Sequence, residues 1–398
     1  MSMTPSTEEV LNGSESGASQ EALNVTASPD YDAEQSVKIF FWGELATALV
    51  VYSLTFVVGI IGNVLILVAI AGNRRMKSVT NTFLASLATA DLTLICLCIP
   101  VKIAKLFSFT WTLGAFLCLG VHYVQTVTAI CSVLTLTAIS LERYYVILHP
   151  MKAQYICTKS QAHRTILAIW LLAFVLACPM LVAQVHIPVG IPPVAFWCVR
   201  NVDLPALWRF NELYLLVVLL LAPTAVMGTA YTCIIVEVWR VMKNRLQLTH
   251  QMPASKSFGE DRALVLDDTV KEPVQRCRSV EDQATLQQLI RMMVAVVVFF
   301  LVCWSPLLVF NALQSFGTFP VFVPGTYKHI RTSFELMAYA NSCINPLVYG
   351  FMSRSFRDSF QRALCGQKYL LGMRRDASKS SNMTQLASLR QPNAAAMA

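Results

Sequence analysis

Residues 45–71 read LATALVVYSLTFVVGIIGNVLILVAIA, with no Asp, Glu, Lys or Arg among them. As a helix rising about 1.5 Å per residue, the stretch is about 40 Å long. That exceeds the roughly 30 Å hydrocarbon core of a bilayer. A surface helix of a soluble protein would show charge on one face every turn or so. The stretch therefore reads as a membrane-spanning helix.

Six further runs repeat this pattern. They cover Thr82 to Val101, Ala115 to Leu141, Thr165 to Val185, Leu213 to Val236, Met292 to Phe316 and Thr332 to Phe351. Within all seven runs the only ionisable carboxylates are Asp91 and Glu335, and there is no Lys or Arg. The expected fold is all-α, a seven-transmembrane helix bundle over residues 41–352. Composition agrees. Only 14% of the 398 residues are charged and 55% are hydrophobic, whereas soluble domains carry about 25% charged residues. Such a chain is neither disordered over most of its length nor a soluble enzyme. Paired halves with inverted repeats or broken helices, which would suggest a transporter, are not visible.

Charge is distributed unevenly. Residues 1–37 contain no Lys or Arg but seven acids, including Glu8, Glu34 and Asp30. Arg74, Arg75 and Lys77 follow the first run, Lys152, Lys159 and Arg164 the third, and Arg354, Arg357 and Arg362 the seventh. Basic loops stay on the cytoplasmic side, which places the N-terminus outside and the C-terminus inside. The net charge of +8 then follows from topology, and no nucleic-acid partner is needed. No cleavable signal peptide is visible, so the first run is expected to serve as its own anchor. Residues 1–40 are expected to be a disordered extracellular segment with glycosylation sequons at Asn12 and Asn24. A flexible cytoplasmic loop is expected at about 244–285 and a disordered tail at 366–398. Between them, Phe356 and Phe360 alternate with Arg354, Arg357 and Arg362, the pattern of a short amphipathic helix at 353–365 on the inner leaflet.

An ionisable group inside a span is costly and usually functional. Asp91 has oxygen-bearing candidates nearby in Asn63, Ser132, Asn341, Ser342 and Asn345. These could form a pocket for a small hard cation, or a buried network around a protonated carboxyl. Glu142-Arg143-Tyr144 closes the third run at the cytoplasmic edge, where Arg143 can pair with Glu142 or act as an anchor. Pro306, two residues after Trp304, removes a backbone hydrogen bond and should kink the sixth run. Pro346, between Asn345 and Tyr349, does the same in the seventh, and Pro223 precedes Tyr231 in the fifth. Of the twelve cysteines, Cys96, Cys98, Cys131, Cys178, Cys233, Cys303 and Cys343 lie inside apolar runs, where a thiol acts as a small hydrophobe. Cys118 and Cys198 lie at or just outside run ends.

Taken in order, the set resembles the rhodopsin-like (class A) G-protein-coupled receptors. The matching elements are Gly62-Asn63, Asp91, Trp111 with Cys118, Glu142-Arg143-Tyr144, Trp170, Pro223 with Tyr231, Cys303-Trp304-Ser305-Pro306, and Asn345-Pro346 through Tyr349. The resemblance covers about Leu45 to Cys365. It implies a Cys118–Cys198 disulfide, an allosteric sodium site from Asp91, Ser132, Asn341 and Asn345, and no other cofactor. It implies that Trp304 is a switch beneath the ligand, and that Arg143, with Tyr231 and Tyr349, meets a heterotrimeric G protein once the sixth helix opens. Cys365 resembles the palmitoylation site. Two departures stand out. Glu142 replaces the usual Asp, and Leu286, Gln287 and Gln288 at the foot of the sixth helix offer no acid to clasp Arg143.

The resemblance also bears on the ligand. Gln125 stands where amine receptors carry an Asp, and Tyr339 where opsins carry a Lys. Polar groups expected to face the pocket are Lys102, Lys105, Gln125, Arg209, Glu212, Asn311, Gln314 and Glu335, with Trp304 and Tyr339 below. Lys102 and Glu335 are expected to pair. A pocket with both signs of charge under a long second outer loop, about Gln184 to Leu207, suits a peptide. The reading is therefore a plasma-membrane receptor of the neuropeptide type, not an enzyme. Its expected partners are an extracellular peptide, a heterotrimeric G protein, arrestin, receptor kinases and membrane lipids. A receptor for a lipid or small metabolite, or a constitutively active receptor without ligand, is the alternative.

Overall fold

The computed structural model describes residues 42–72, 76–108, 110–189, 195–250, 271–319, 326–353 and 356–362. Its elements in chain order are α1 (Trp42–Gly72), α2 (Val79–Leu106), α3 (Gly114–Leu148), α4 (Pro150–Ile156), α5 (Lys159–Leu176), α6 (Met180–Ala183), β1 (Gln184–Val189) and β2 (Ala195–Arg200). Then come α7 (Pro205–Leu216), a π-helical turn at Val217–Leu221, α8 (Ala222–His250), α9 (Lys271–Ser315) and α10 (Thr326–Met352). A last helical segment occupies residues 356–362.

The helices pack as a bundle with α3 at its centre. α1 packs on α2 and α10, α3 on α2, α5 and α8, and α9 on α7 and α10. α3 is the most enclosed of the six apolar spans, with 67% of its most apolar stretch buried against 28% for α1. Large apolar side chains point outward, among them Leu54, Leu171, Val175 and Leu221, each more than half exposed. Polar ones point inward: Asn63, Asp91, Ser132, Asn341 and Asn345 are all buried. Contiguous outward apolar surface on this scale needs lipid as its solvent.

Six of the described helices are long and apolar enough to cross a membrane by length and composition. α10 is the seventh member of the bundle, enclosed by α1, α2 and α9. Its hydropathy is lowered by Arg331, Glu335, Asn341, Ser342 and Asn345, of which the last three are buried in the bundle.

Local chemistry sets the helix boundaries. The Ser78 side chain caps α2 by accepting from the Asn81 amide at 3.2 Å, and Thr158 caps α5 through the Gln161 amide at 3.3 Å. Pro150 sits at the start of α4, where its missing N–H costs nothing. At the π-turn the Ala222 amide reaches back to the Val217 carbonyl. Pro223 follows at once with no amide to give, and the ladder re-registers around that gap.

Within the segment expected as a flexible loop at 244–285, the described residues are helical: α8 runs on to His250 and α9 begins at Lys271. A helix satisfies its own backbone, so nothing obliges it to end where the apolar run ends, and the Gln-, Leu-, Lys- and Arg-rich sequence favours helix. Pro273 falls in the first turn, where it is tolerated. The connection after α3, read as a loop, contains the short helix α4. Residues 251–270, the segment at 1–40 with Asn12 and Asn24, the tail at 366–398 and Cys365 lie outside the described residues.

Candidate functional site

At the end of the bundle where α2 leads into α3, β1 and β2 pair antiparallel with His186 opposite Cys198. The hairpin is fixed to α3 by the Cys118–Cys198 disulfide, with a Cα–Cα distance of 5.7 Å. It is also fixed to the α2–α3 turn, where the Trp111 amide donates to the Phe196 carbonyl at 2.7 Å. The Trp111 indole N–H donates to the Gly114 carbonyl at 2.7 Å. Gly114 has φ of 76°, a conformation other residues adopt only with strain.

Beneath the hairpin lies a charged cluster. The Lys102 ammonium donates to Glu335 Oε1, tying α2 to α10. Lys102 also lies 5.9 Å from the centre of the Tyr339 ring. The Tyr339 hydroxyl donates to Gln125 Oε1 at 3.1 Å. Four residues expected in the pocket, Lys102, Gln125, Glu335 and Tyr339, are thus joined across α2, α3 and α10. Glu212 is 1% exposed and pairs with Arg200 of β2 at 2.9 Å. Arg200 also donates to Gln184 Oε1 at 3.2 Å. Asn311 is half-buried and Gln314 buried, both near the C-terminal end of α9. Arg209 departs from expectation. It is exposed and donates to the Ser315 carbonyl at 3.2 Å, so it ties α7 to the end of α9 outside the pocket.

Sequence reasoning missed Arg200, Arg331 and Asn211. Arg200 was findable, because it lies two residues after Cys198, on the same strand face. Arg331 lies one helical turn before Glu335, and Asn211 adjoins Glu212. Among the described residues the Asn211 side-chain oxygen and nitrogen are both buried with no hydrogen-bond partner.

Deeper in, Asp91 is 2% exposed and accepts from Asn345 Nδ2 at 2.9 Å. Asn63 donates to the Gly59 and Ser342 carbonyls, each at 2.9 Å. Ser132 and Asn341 are buried, and Asn63 Oδ1 and Thr135 Oγ1 have no partner among the described residues. The Asp91 carboxylate with the Asn345 side chain on it offers oxygen donors of the kind hard cations use. Trp304 and Phe300 stack at 6.1 Å between ring centres. Phe300 and Val133 are almost fully buried, and Pro223 is buried too.

At the opposite end of the bundle, Arg143 donates to Glu142 through Nε at 2.6 Å and Nη2 at 2.7 Å. Nη2 also donates to the Thr80 hydroxyl on α2. These residues line a cleft of about 360 Å³ with Val146, Ala153, Gln154 and Cys157. Burial, with Glu142 nearby, pushes the Cys157 thiol above its ordinary range, which makes it a poor nucleophile. Tyr144 is half-buried beside Tyr145, with ring centres 5.5 Å apart. The Ser140 and Tyr231 hydroxyls lie 3.2 Å apart. Tyr349 is fully buried and stacks on Phe356 at 5.6 Å. Its hydroxyl has no partner among the described residues. Gln288 at the foot of α9 donates to the Met352 carbonyl, and Gln287 to Met242 Sδ at 3.5 Å. In the segment at 356–362, Phe356 is buried while Arg357 and Arg362 are exposed, which is the expected amphipathic pattern.

Comparison with known proteins gives the arrangement a family. The sequence profile of the "7 transmembrane receptor (rhodopsin family)" matches residues 62–349. A cholecystokinin receptor of Xenopus laevis is 29% identical, over 78% of this chain and 75% of its own length. The G-protein coupled receptor 54 of Oreochromis niloticus is 29% identical over 90% and 87%. A pyroglutamylated RF-amide peptide receptor of Rattus norvegicus is 28% identical over 79% and 68%. The profile match runs from the Gly62-Asn63 pair on α1 to Tyr349 on α10 and includes every element from which the polar core and the Arg143 cluster are built; the chain belongs to the rhodopsin family of 7 transmembrane receptors.

Proposed function

We propose that this protein is a plasma-membrane receptor for an extracellular peptide and that it activates heterotrimeric G proteins. The carrying observation is the outer cluster. Lys102, Glu335, Arg200 and Glu212 supply both signs of charge under a hairpin pinned by Cys118–Cys198. A peptide presents amides, charged side chains and termini, and such a pocket can answer each of them. The similarity to receptors named for cholecystokinin and for an RF-amide peptide supports the same ligand class.

In this reading the N-terminus is extracellular and the C-terminus cytoplasmic. Ligand contacts at Lys102, Gln125, Glu212, Asn311, Gln314, Glu335 and Tyr339 bias the Trp304–Phe300 stack. The Pro306 kink then lets the inner half of α9 swing. Two-state logic requires that the ligand bind the open form more tightly. Opening frees Arg143 from Glu142 to meet the G protein, and Tyr231 and Tyr349 approach each other to hold the open form. Asp91, Ser132, Asn341 and Asn345 would hold a sodium ion, which supplies positive charge favouring the closed arrangement. Receptor kinases and arrestin act on the tail. The 356–362 segment lies on inner-leaflet lipids, with a palmitoyl group at Cys365.

A secreted-peptide library applied to cells reporting calcium, cyclic AMP and arrestin recruitment tests this reading. Activation by a discrete peptide supports it. Response to a lipid set alone would replace the ligand class.

A further inference from the structure

The outer cluster carries more positive than negative charge. Its two acids are both engaged, Glu335 with Lys102 and Glu212 with Arg200. Arg331, on α10 one turn before Glu335, is half-buried. It feels the charges of Glu335, Glu212 and Arg200. Among the described residues it makes no ion pair or hydrogen bond of its own. His122 on α3 faces the same excess, in the combined field of Lys102, Lys105, Arg200 and Arg331. The buried Asn211 amide, next to Glu212, is also unpartnered among the described residues.

A half-buried guanidinium whose nearest helical carboxylate, Glu335, is already held by Lys102 is costly unless something compensates it. Both described carboxylates of the cluster already have closer partners, so its described residues do not neutralise Arg331. The Arg fork offers paired parallel N–H donors matched to two oxygens on one atom. We infer that the ligand carries an oxyanion of the carboxylate or sulfate kind that pairs with Arg331. This rests on the reading of the chain as a receptor for an extracellular ligand.

The test uses hexapeptide pools with one position fixed as Glu, Gln or Lys, each made with a free or an amidated C-terminus. They are applied to cells displaying the full chain and reporting calcium and arrestin recruitment, with surface expression measured in parallel. Glu-fixed or free-carboxyl pools should act at concentrations on the order of tenfold below their neutral counterparts. A preference at one fixed position puts the anion on a side chain, and a preference for the free terminus puts it there. Arg331→Lys should keep the preference and Arg331→Glu should turn it toward Lys-fixed pools. If Arg331→Glu does not reach the surface, Arg331→Gln must abolish the preference. Pools that activate regardless of charge overturn the inference and leave the peptide reading standing. If every peptide pool is silent and a fatty-acid set activates, the peptide reading fails. In that case free acids must outperform their methyl esters, and equal potency overturns the anion as well.

Discussion

The Arg143 guanidinium grips the carboxylate of its own chain neighbour Glu142 through two nitrogens, at 2.6 and 2.7 Å. The third member of the group is Thr80 on α2, whose hydroxyl lies 3.1 Å from Glu142 Oε2 and also accepts from Arg143. The restraint on Arg143 therefore runs between α2 and α3. The foot of α9 is held separately, by Gln288 on the Met352 carbonyl.

From this arrangement Glu142→Gln and Thr80→Ala should each raise ligand-independent signalling. A hydrogen bond to a charged group contributes about 1.5 kcal/mol, or roughly tenfold in a two-state ratio. Nucleotide exchange per surface receptor without ligand is the measurement. Gln288→Ala should also raise it, and its effect should add to that of Thr80→Ala, because the two act on different helix pairs. Basal exchange unchanged in all three would rule out both restraints.

Gly62 on α1 admits α10 closely. A methyl group there would lie 2.6 Å from Pro346 Cβ and 2.8 Å from its Cγ, both in a rigid ring. Gly62→Ala should lower stability by about 1–3 kcal/mol, read as a fall in thermal midpoint of the detergent-purified protein. An unaltered midpoint would mean that α1 and α10 do not meet this closely.

The Lys102–Glu335 pair joins α2 to α10, with side chains 8% and 26% exposed. Glu335→Gln leaves a buried ammonium unpaired and should cost about 2–3 kcal/mol, below the fully buried range because Glu335 keeps some solvent. Lys102→Met with Glu335→Gln should recover most of the loss. Thermal midpoints of the four proteins in this cycle decide it, and simple additivity of the single changes would show that the charges do not interact.

Asp91→Asn should erase the stabilisation of the purified receptor by sodium chloride relative to choline chloride at equal ionic strength. Neutral oxygens from Ser132, Asn341 and Asn345 cannot replace the one formal negative charge in the pocket. A sodium effect of unchanged size in the variant would move the cation elsewhere.

Cys118→Ser, Cys198→Ser and the double change should lower surface expression equally, because each removes the same bond across 80 residues. The expected loss is about 2–4 kcal/mol. A double variant markedly worse than either single one would show that the cysteines act separately.

Several features were legible from residue type and spacing. Apolar length marked the spans. The Asp91–Asn345 pair and the Lys102–Glu335 pair were both anticipated, since an ionisable group in a span must find polar company. The ends of α8 and α9 were not legible, because an apolar run marks the bilayer while a helix can continue into water. Arg209 was misplaced because helical position does not say which side of a bundle a residue faces when both sides are apolar.

By itself the sequence determined that seven helices cross a membrane with Asp91 and Glu335 inside, because burying apolar length is a one-dimensional requirement. Only the tertiary structure decided which charges meet. It gave Arg143 to Glu142 and Thr80 and Arg200 to Glu212, and among the described residues it left Arg331 with no ion pair. Pairing depends on distances of a few ångströms between segments far apart in the chain, and those distances are set when the helices pack.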